Sequence, residues 1–263
     1  MRLDETFAKA RVDGRGVLVG YLPAGAVPDE AFTEMVAAGV DVVEVGLPYS
    51  DPVLDGPVIQ TAVDRALAAG TSTADVLRTV EGVARTGAPV VVMTYWNPVE
   101  QHGVDRFARD LVSAGGAGLI TPDLPPEEAG PWLAAADAHG LDPVFLVAPS
   151  STDERVERIA QLCRGFVYAT SVMGVTGERS RTSDRAPALV ARVRAATDTP
   201  VGVGLGVSNG DQAAEVAGYA DGVIVGSAFA RAVLEAESPA AAVSGIGALA
   251  ADLAAGVRRR SVG

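Results

Sequence analysis

Three carboxylates fall within twelve residues of one another: Glu44, Asp51 and Asp55, in the stretch VVEVGLPYSDPVLDGPVIQ (42–60). Val42, Val43 and Val45 surround Glu44 in an apolar run that reads as a buried strand broken at Gly46. An ionised acid inside such a strand is costly unless it is paired or used, which makes Glu44 a candidate for proton transfer. Strand alternation puts its side chain on the face of Val42 and Gly46, opposite Val43 and Val45. The plainer alternatives are a strand-end acid leaning into solvent or an ion pair to an arginine. Asp51 and Asp55 occupy a loop bracketed by Pro48, Pro52, Gly56 and Pro57. From Pro57 the spacing of Val58, Ile59, Ala62, Val63, Ala66 and Leu67 is helical, and proline suits a helix start. The carboxylates therefore lie at the C-terminal end of a strand, where parallel α/β folds carry out their chemistry.

What the rest of the chain lacks narrows that chemistry. Lysine occurs once, as Lys9, so no later strand can present a Schiff-base nucleophile. Two histidines, His102 and His139, and one cysteine, Cys163, argue against a zinc or iron site, and no cofactor is expected. Cys163 follows a helical run and reads as a buried structural thiol. A net charge of −12 argues against nucleic acid or an anionic membrane as partner. No apolar run reads as a membrane span, and the first residues, Met1-Arg2-Leu3-Asp4, do not read as a signal peptide, so the expected location is the cytoplasm.

The elements that must position the acids alternate along the chain. Residues 2–11 predict a short amphipathic helix. Strands are predicted at 16–25, from 42, and at 89–95, 117–122, 143–148, 165–170, 200–206 and 221–226. Helices are predicted at 29–38, 57–69, 74–85, 104–114, an alanine-rich run after Pro126, 152–163, 186–196, 210–218, from Ser227, and 238–257. Trp96-Asn97-Pro98 reads as loop. A glycine and a tight turn precede most strands, as in AAGVD, RTGAP and AHGLDP. Eight strands alternating with helices, without a linker of shifted composition, predict a single α/β domain over 1–263, a (β/α)8 TIM barrel with an extra N-terminal helix. The long loops after strands two and six fall on one face of it.

Two glycine-rich turns on that face could hold a phosphate. They are Gly204-Leu205-Gly206-Val207-Ser208 after the seventh strand and Gly226-Ser227-Ala228 after the eighth. Barrels commonly bind phosphate there through backbone N–H groups and a helix N-terminus. Gly174-Val175-Thr176-Gly177, in the sixth loop, could complete the cradle.

The run from Glu44 to Pro57 resembles the signature of the tryptophan synthase α subunit family. Tyr168, Gly174-Val-Thr-Gly177, Gly204-Leu-Gly-Val-Ser208 and Gly226-Ser227 follow in matching order, so the resemblance covers nearly the whole chain. It implies a (β/α)8 barrel that cleaves indole-3-glycerol phosphate to indole and glyceraldehyde 3-phosphate. It also implies a pyridoxal-phosphate-dependent β subunit as partner, in an α2β2 heterotetramer. By position, the resemblance makes Glu44 and Asp55 the catalytic acids and puts Tyr95 and Tyr168 in the substrate pocket. Gly177, Gly206, Gly226 and Ser227 match the phosphate site. Tyr49, Leu54 and Leu205 depart from the residues common in the family, and no acid follows Gly25.

The implied reaction suits the residues present. A retro-aldol cleavage needs an electron sink, and indole supplies its own when C3 is protonated. One acid must protonate C3, a base must take the glycerol hydroxyl proton, and a carboxylate should steady the positive charge at the ring nitrogen. Two acids in unequal environments meet that need. Other barrels fit less well. Indole-3-glycerol phosphate synthase uses a lysine, and the histidine-pathway isomerase type wants acids on the first and fifth strands. Two alternatives stand beside the α-subunit reading: a free-standing indole-3-glycerol phosphate lyase, and a non-catalytic phosphate-binding barrel that regulates a partner.

Overall fold

The computed structural model of the chain describes residues 2–170 and 185–259. Its strands are β1 (Val17–Pro23), β2 (Val42–Gly46), β3 (Val90–Met93), β4 (Gly118–Ile120), β5 (Asp142–Val144), β6 (Leu146–Val147), β7 (Val167–Thr170), β8 (Val201–Gly204) and β9 (Gly222–Val225). All pairings are parallel, in the order β5-β4-β3-β2-β1-β9-β8-β7-β6. Successive segments β5 and β6 occupy one strand position, so the sheet is a barrel with eight positions and helices around it.

The predicted fifth strand is divided at Phe145 for a specific reason. β5 pairs with β4, whereas β6 pairs with β7. Between them the Phe145 N–H turns away and donates to the Cys163 thiol sulfur at 3.3 Å. Burial of that thiol pushes its pKa to about 12 and leaves it inert.

Alternation along the strands sorts their side chains into two cores. Outward residues such as Leu18, Val43, Val45, Val92 and Val203 pack under the helices. Inward residues Val17, Val19, Val42, Val91, Ile120, Val144, Phe166 and Ile224 fill the barrel, together with Leu3, Phe7 and Ala10 of the helix Leu3–Val12. That helix closes the N-terminal end, with the Phe7 and Phe166 ring centroids 5.6 Å apart. Bulky rings fit inside because several inward positions are glycine. A Cβ at Gly202 would lie 3.1 Å from the Phe166 ring, and one at Gly222 would lie 3.1 Å from Phe7.

The structure corrects two expectations. Trp96–His102 is a helix, not a loop. The carboxylate of Asp123, from the loop after the next strand, accepts the Trp96 N–H at 2.9 Å. The final helix, Pro239–Arg258, is by length and composition apolar enough to cross a membrane. Its apolar face is a core face, however, with Ile246, Ala250, Leu253, Ala254 and Val257 buried.

Candidate active site

Glu44 lies on β2 in direct register with Tyr21 of β1 and Val91 of β3. Its neighbours Val42 and Val43 fall into the inner and outer cores respectively, so Glu44 points inward as alternation predicts. Its side chain is buried, and one carboxylate oxygen, Oε2, has no hydrogen-bond partner. Desolvation raises its pKa from 4.5 to about 8, with the charge of Asp55 adding to the effect. A carboxyl in this state holds its proton at neutral pH.

Asp55 comes to the same space from the loop that follows β2. Burial raises its pKa, and the Tyr95 hydroxyl pulls it back down. Tyr95 lies just beyond β3, buried, with its ring 5.4 Å from that of Tyr49. Its hydroxyl accepts the Leu54 N–H at 3.1 Å. Asp51 is exposed and accepts from the Ser50 hydroxyl at 2.6 Å. The loop's two acids are thus divided, with Asp55 turned toward Glu44 and Asp51 toward solvent.

Two more tyrosines complete the wall. Tyr168 of β7 and Tyr21 of β1 are raised well above the ordinary phenol value, chiefly by desolvation, and both feel the charges of Glu44 and Asp55. Tyr168 was visible in the sequence, whereas Tyr21 was not. Its signal was its position: two residues beyond Val19 on a strand whose alternate residues face inward. Three glycines then find a use that their sequence context does not show. A Cβ at Gly46 would lie 2.6 Å from the Tyr21 hydroxyl, and one at Gly226 would lie 3.0 Å from the Tyr21 ring. At Gly204 it would lie 2.6 Å from the Tyr168 hydroxyl. Gly204 and Gly226 therefore make room for site tyrosines, whatever else they admit.

The phosphate candidates sit at the ends of β8 and β9. Gly206 has φ +70°, a left-handed conformation that favours glycine. Ser227 is the first residue of the helix Ser227–Glu235, and Gly226, at its N-cap, offers no side chain to cap it. By contrast, Ser72, Thr152, Asn209 and Ser238 each cap a helix with a side-chain oxygen. The first-turn N–H groups behind Gly226 are thus left for another acceptor, and the helix dipole favours an anion there. Thr176 and Gly177 lie outside the described residues. Among the described residues, no three His, Cys, Asp or Glu side chains group as metal ligands.

The chemistry of this cup is that of two carboxyls in unequal surroundings beside an anion-favouring helix end. Comparison with known proteins gives the same direction. The family model described as Tryptophan synthase alpha chain matches residues 7–258. The tryptophan synthase alpha chain of Salinispora arenicola is 65% identical over 256 residues, 96% of each chain. That of Acidothermus cellulolyticus is 63% identical over 260 residues, 97% of this chain and 96% of the relative. Among solved structures, tryptophan synthase from M. tuberculosis in its aminoacrylate-bound form superposes with a TM-score of 0.89 at 50% identity, over 97% of this chain and 99% of that one. Tryptophan synthase subunit alpha from Legionella pneumophila gives 0.88 at 35% identity, over 97% and 98%.

Proposed function

The chain belongs to the tryptophan synthase alpha chain family, and on that premise we propose that Glu44 and Asp55 are the groups that carry its reaction. The activity is that of a carbon–carbon lyase of tryptophan biosynthesis, the cleavage of indole-3-glycerol phosphate to indole and glyceraldehyde 3-phosphate. One observation carries the assignment: a buried strand carboxyl with an unpartnered oxygen and a pKa of about 8, within electrostatic range of a second acid.

In this reading Glu44 begins protonated and gives its proton to C3 of the indole ring, leaving the ring cationic. The ionised Asp55 accepts the ring N–H and stabilises that charge. Glu44, now a carboxylate, takes the proton from the glycerol hydroxyl next to the ring. As the carbonyl forms, the C–C bond breaks and its electrons return to the ring, releasing neutral indole and the aldehyde. Glu44 ends protonated, ready for another cycle. Tyr95 and Tyr168 line the ring's pocket. Gly204, Gly206, Gly226 and Ser227 hold the phosphate, with Thr176 and Gly177 assigned to the same cradle from sequence.

The partner reading follows from the loop that bears Asp55. Val53 and Leu54, immediately before it, are 72% and 58% exposed, an apolar pair suited to burial against another surface. We place a pyridoxal-phosphate-dependent β subunit there, in a cytoplasmic α2β2 assembly. Its docking steadies Asp55 and raises turnover. The test is indole release by the isolated chain and with saturating β subunit, using the wild type, Asp55→Asn and Asp51→Asn. Asp55→Asn should be nearly inactive and Asp51→Asn close to wild type. The reverse order would make Asp51 the reacting loop acid, and equal wild-type turnover with and without partner would favour a free-standing lyase.

A further inference from the structure

Tyr95 ties the loop that bears Asp55 to the barrel. The residue is only 2% exposed, and its ring is held against Tyr49. Its hydroxyl oxygen accepts the N–H of Leu54, the residue immediately before Asp55. One bond from a rigid, buried side chain therefore fixes the backbone from which the catalytic carboxyl springs. A phenol that accepts one hydrogen bond still has its own proton to donate, and the hydroxyl acts on the Asp55 carboxyl in the sense that favours its ionised form. Val53 and Leu54 meanwhile turn outward. Two neighbouring side chains face solvent, the third faces the site, and the peptide between them is held by Tyr95.

We infer that Tyr95 is a positioning residue for Asp55, beyond lining the substrate pocket. Its hydroxyl fixes the 53–55 turn so that the carboxyl faces Glu44, and it carries to Asp55 any restraint imposed on Val53 and Leu54 from outside. The inference rests on the assignment of Asp55 as the charge-stabilising acid. Facing Asp55 are Glu44 from β2, Tyr21 from β1, Tyr168 from β7 and Tyr95 itself. Of these, Tyr95 favours the ionised carboxylate by hydrogen bonding, whereas burial opposes it and Glu44, still protonated, adds no charge.

The test is Tyr95→Phe, which keeps the ring against Tyr49 and removes both hydroxyl contacts. Turnover number should fall about 10- to 100-fold, the scale of a small misplacement of a reacting group, while KM moves less than about threefold. The acid limb of the kcat profile, set by ionisation of Asp55, should move to higher pH because the group that lowers its pKa is gone. In an Asp55→Asn background the same substitution should cost little more, since its target is already lost. A rise in KM at constant kcat would make Tyr95 a substrate contact and overturn the inference. So would an unmoved pH limb, or losses that multiply in the double variant. Wild-type turnover by Asp55→Asn alone would overturn the assignment of Asp55 itself, and the single variant separates that failure from the others.

Discussion

Glu44→Gln should disable the reaction and, above neutral pH, stabilise the fold. Burial and the charge of Asp55 raise the Glu44 carboxyl from 4.5 to about 8. At about 1.4 kcal/mol for each factor of ten, ionising it in the folded protein costs about 5 kcal/mol more than in the unfolded chain. Below pH 4.5 the group is neutral in both states and the cost is absent. As pH rises, the unfolded chain ionises first, so stability falls progressively until about pH 8, beyond which the whole cost is present. Glutamine has the same shape and never ionises. Its carboxamide meets the surroundings that leave Oε2 unpartnered, at a cost of about 1–3 kcal/mol. The variant should therefore be more stable than the wild type by about 2–4 kcal/mol at pH 8.5, and less stable by about 1–3 kcal/mol at pH 4.5, where only the carboxamide cost remains. Urea unfolding of both proteins at several pH values from 4.5 to 8.5 measures the difference, which should widen by at most about 1.4 kcal/mol per pH unit. Indole release should meanwhile fall about 10²- to 10⁴-fold. A stability difference that ignores pH, or a variant weaker than wild type at pH 8.5, would refute the buried-acid argument. Near-normal turnover would refute the catalytic one.

Two further substitutions probe the walls of the site. Ser227→Asp puts a negative charge at the uncapped helix N-terminus, where the substrate phosphate is assigned. KM for indole-3-glycerol phosphate should rise about tenfold or more with the fold retained, and an unchanged KM would remove the phosphate from this end. Gly204→Ala places a methyl group 2.6 Å from the present position of the Tyr168 hydroxyl, so the ring must shift. Turnover should fall about tenfold with little change in melting temperature, and unaltered kinetics would show that the position of Tyr168 does not matter.

The inward aim of Glu44 was readable because a strand's period of two is rigid, and one acid among valines betrays the face it lies on. The resemblance marks Tyr95 and Tyr168, whereas nothing local in the sequence separates the inward Tyr21 from any other tyrosine. Its role depends on Gly46 and Gly226, which are remote in sequence and adjacent only in the barrel. The helix at 96–102 is hidden in the sequence for a related reason. Its first N–H finds its acceptor in Asp123, 27 residues away, so no capping signal stands before it. Division of the fifth strand likewise depends on Cys163, a sulfur brought to Phe145 by the following helix. In each case a partner distant along the chain decides the local geometry. Alternation, glycine turns and helix starts could be read from neighbours alone, and those predictions agree with the structure to within a few residues.

The helix Leu3–Val12 also determines the traffic of the barrel. Among the described residues, Leu3, Phe7 and Ala10 seal the end opposite the carboxyls, packed against Phe166. The cup is therefore blind. A phosphorylated substrate must enter, and an apolar ring and a phosphorylated aldehyde must leave, across one rim. That rim bears the exposed Val53 and Leu54, so a partner docked on them, as proposed above, would stand in the doorway.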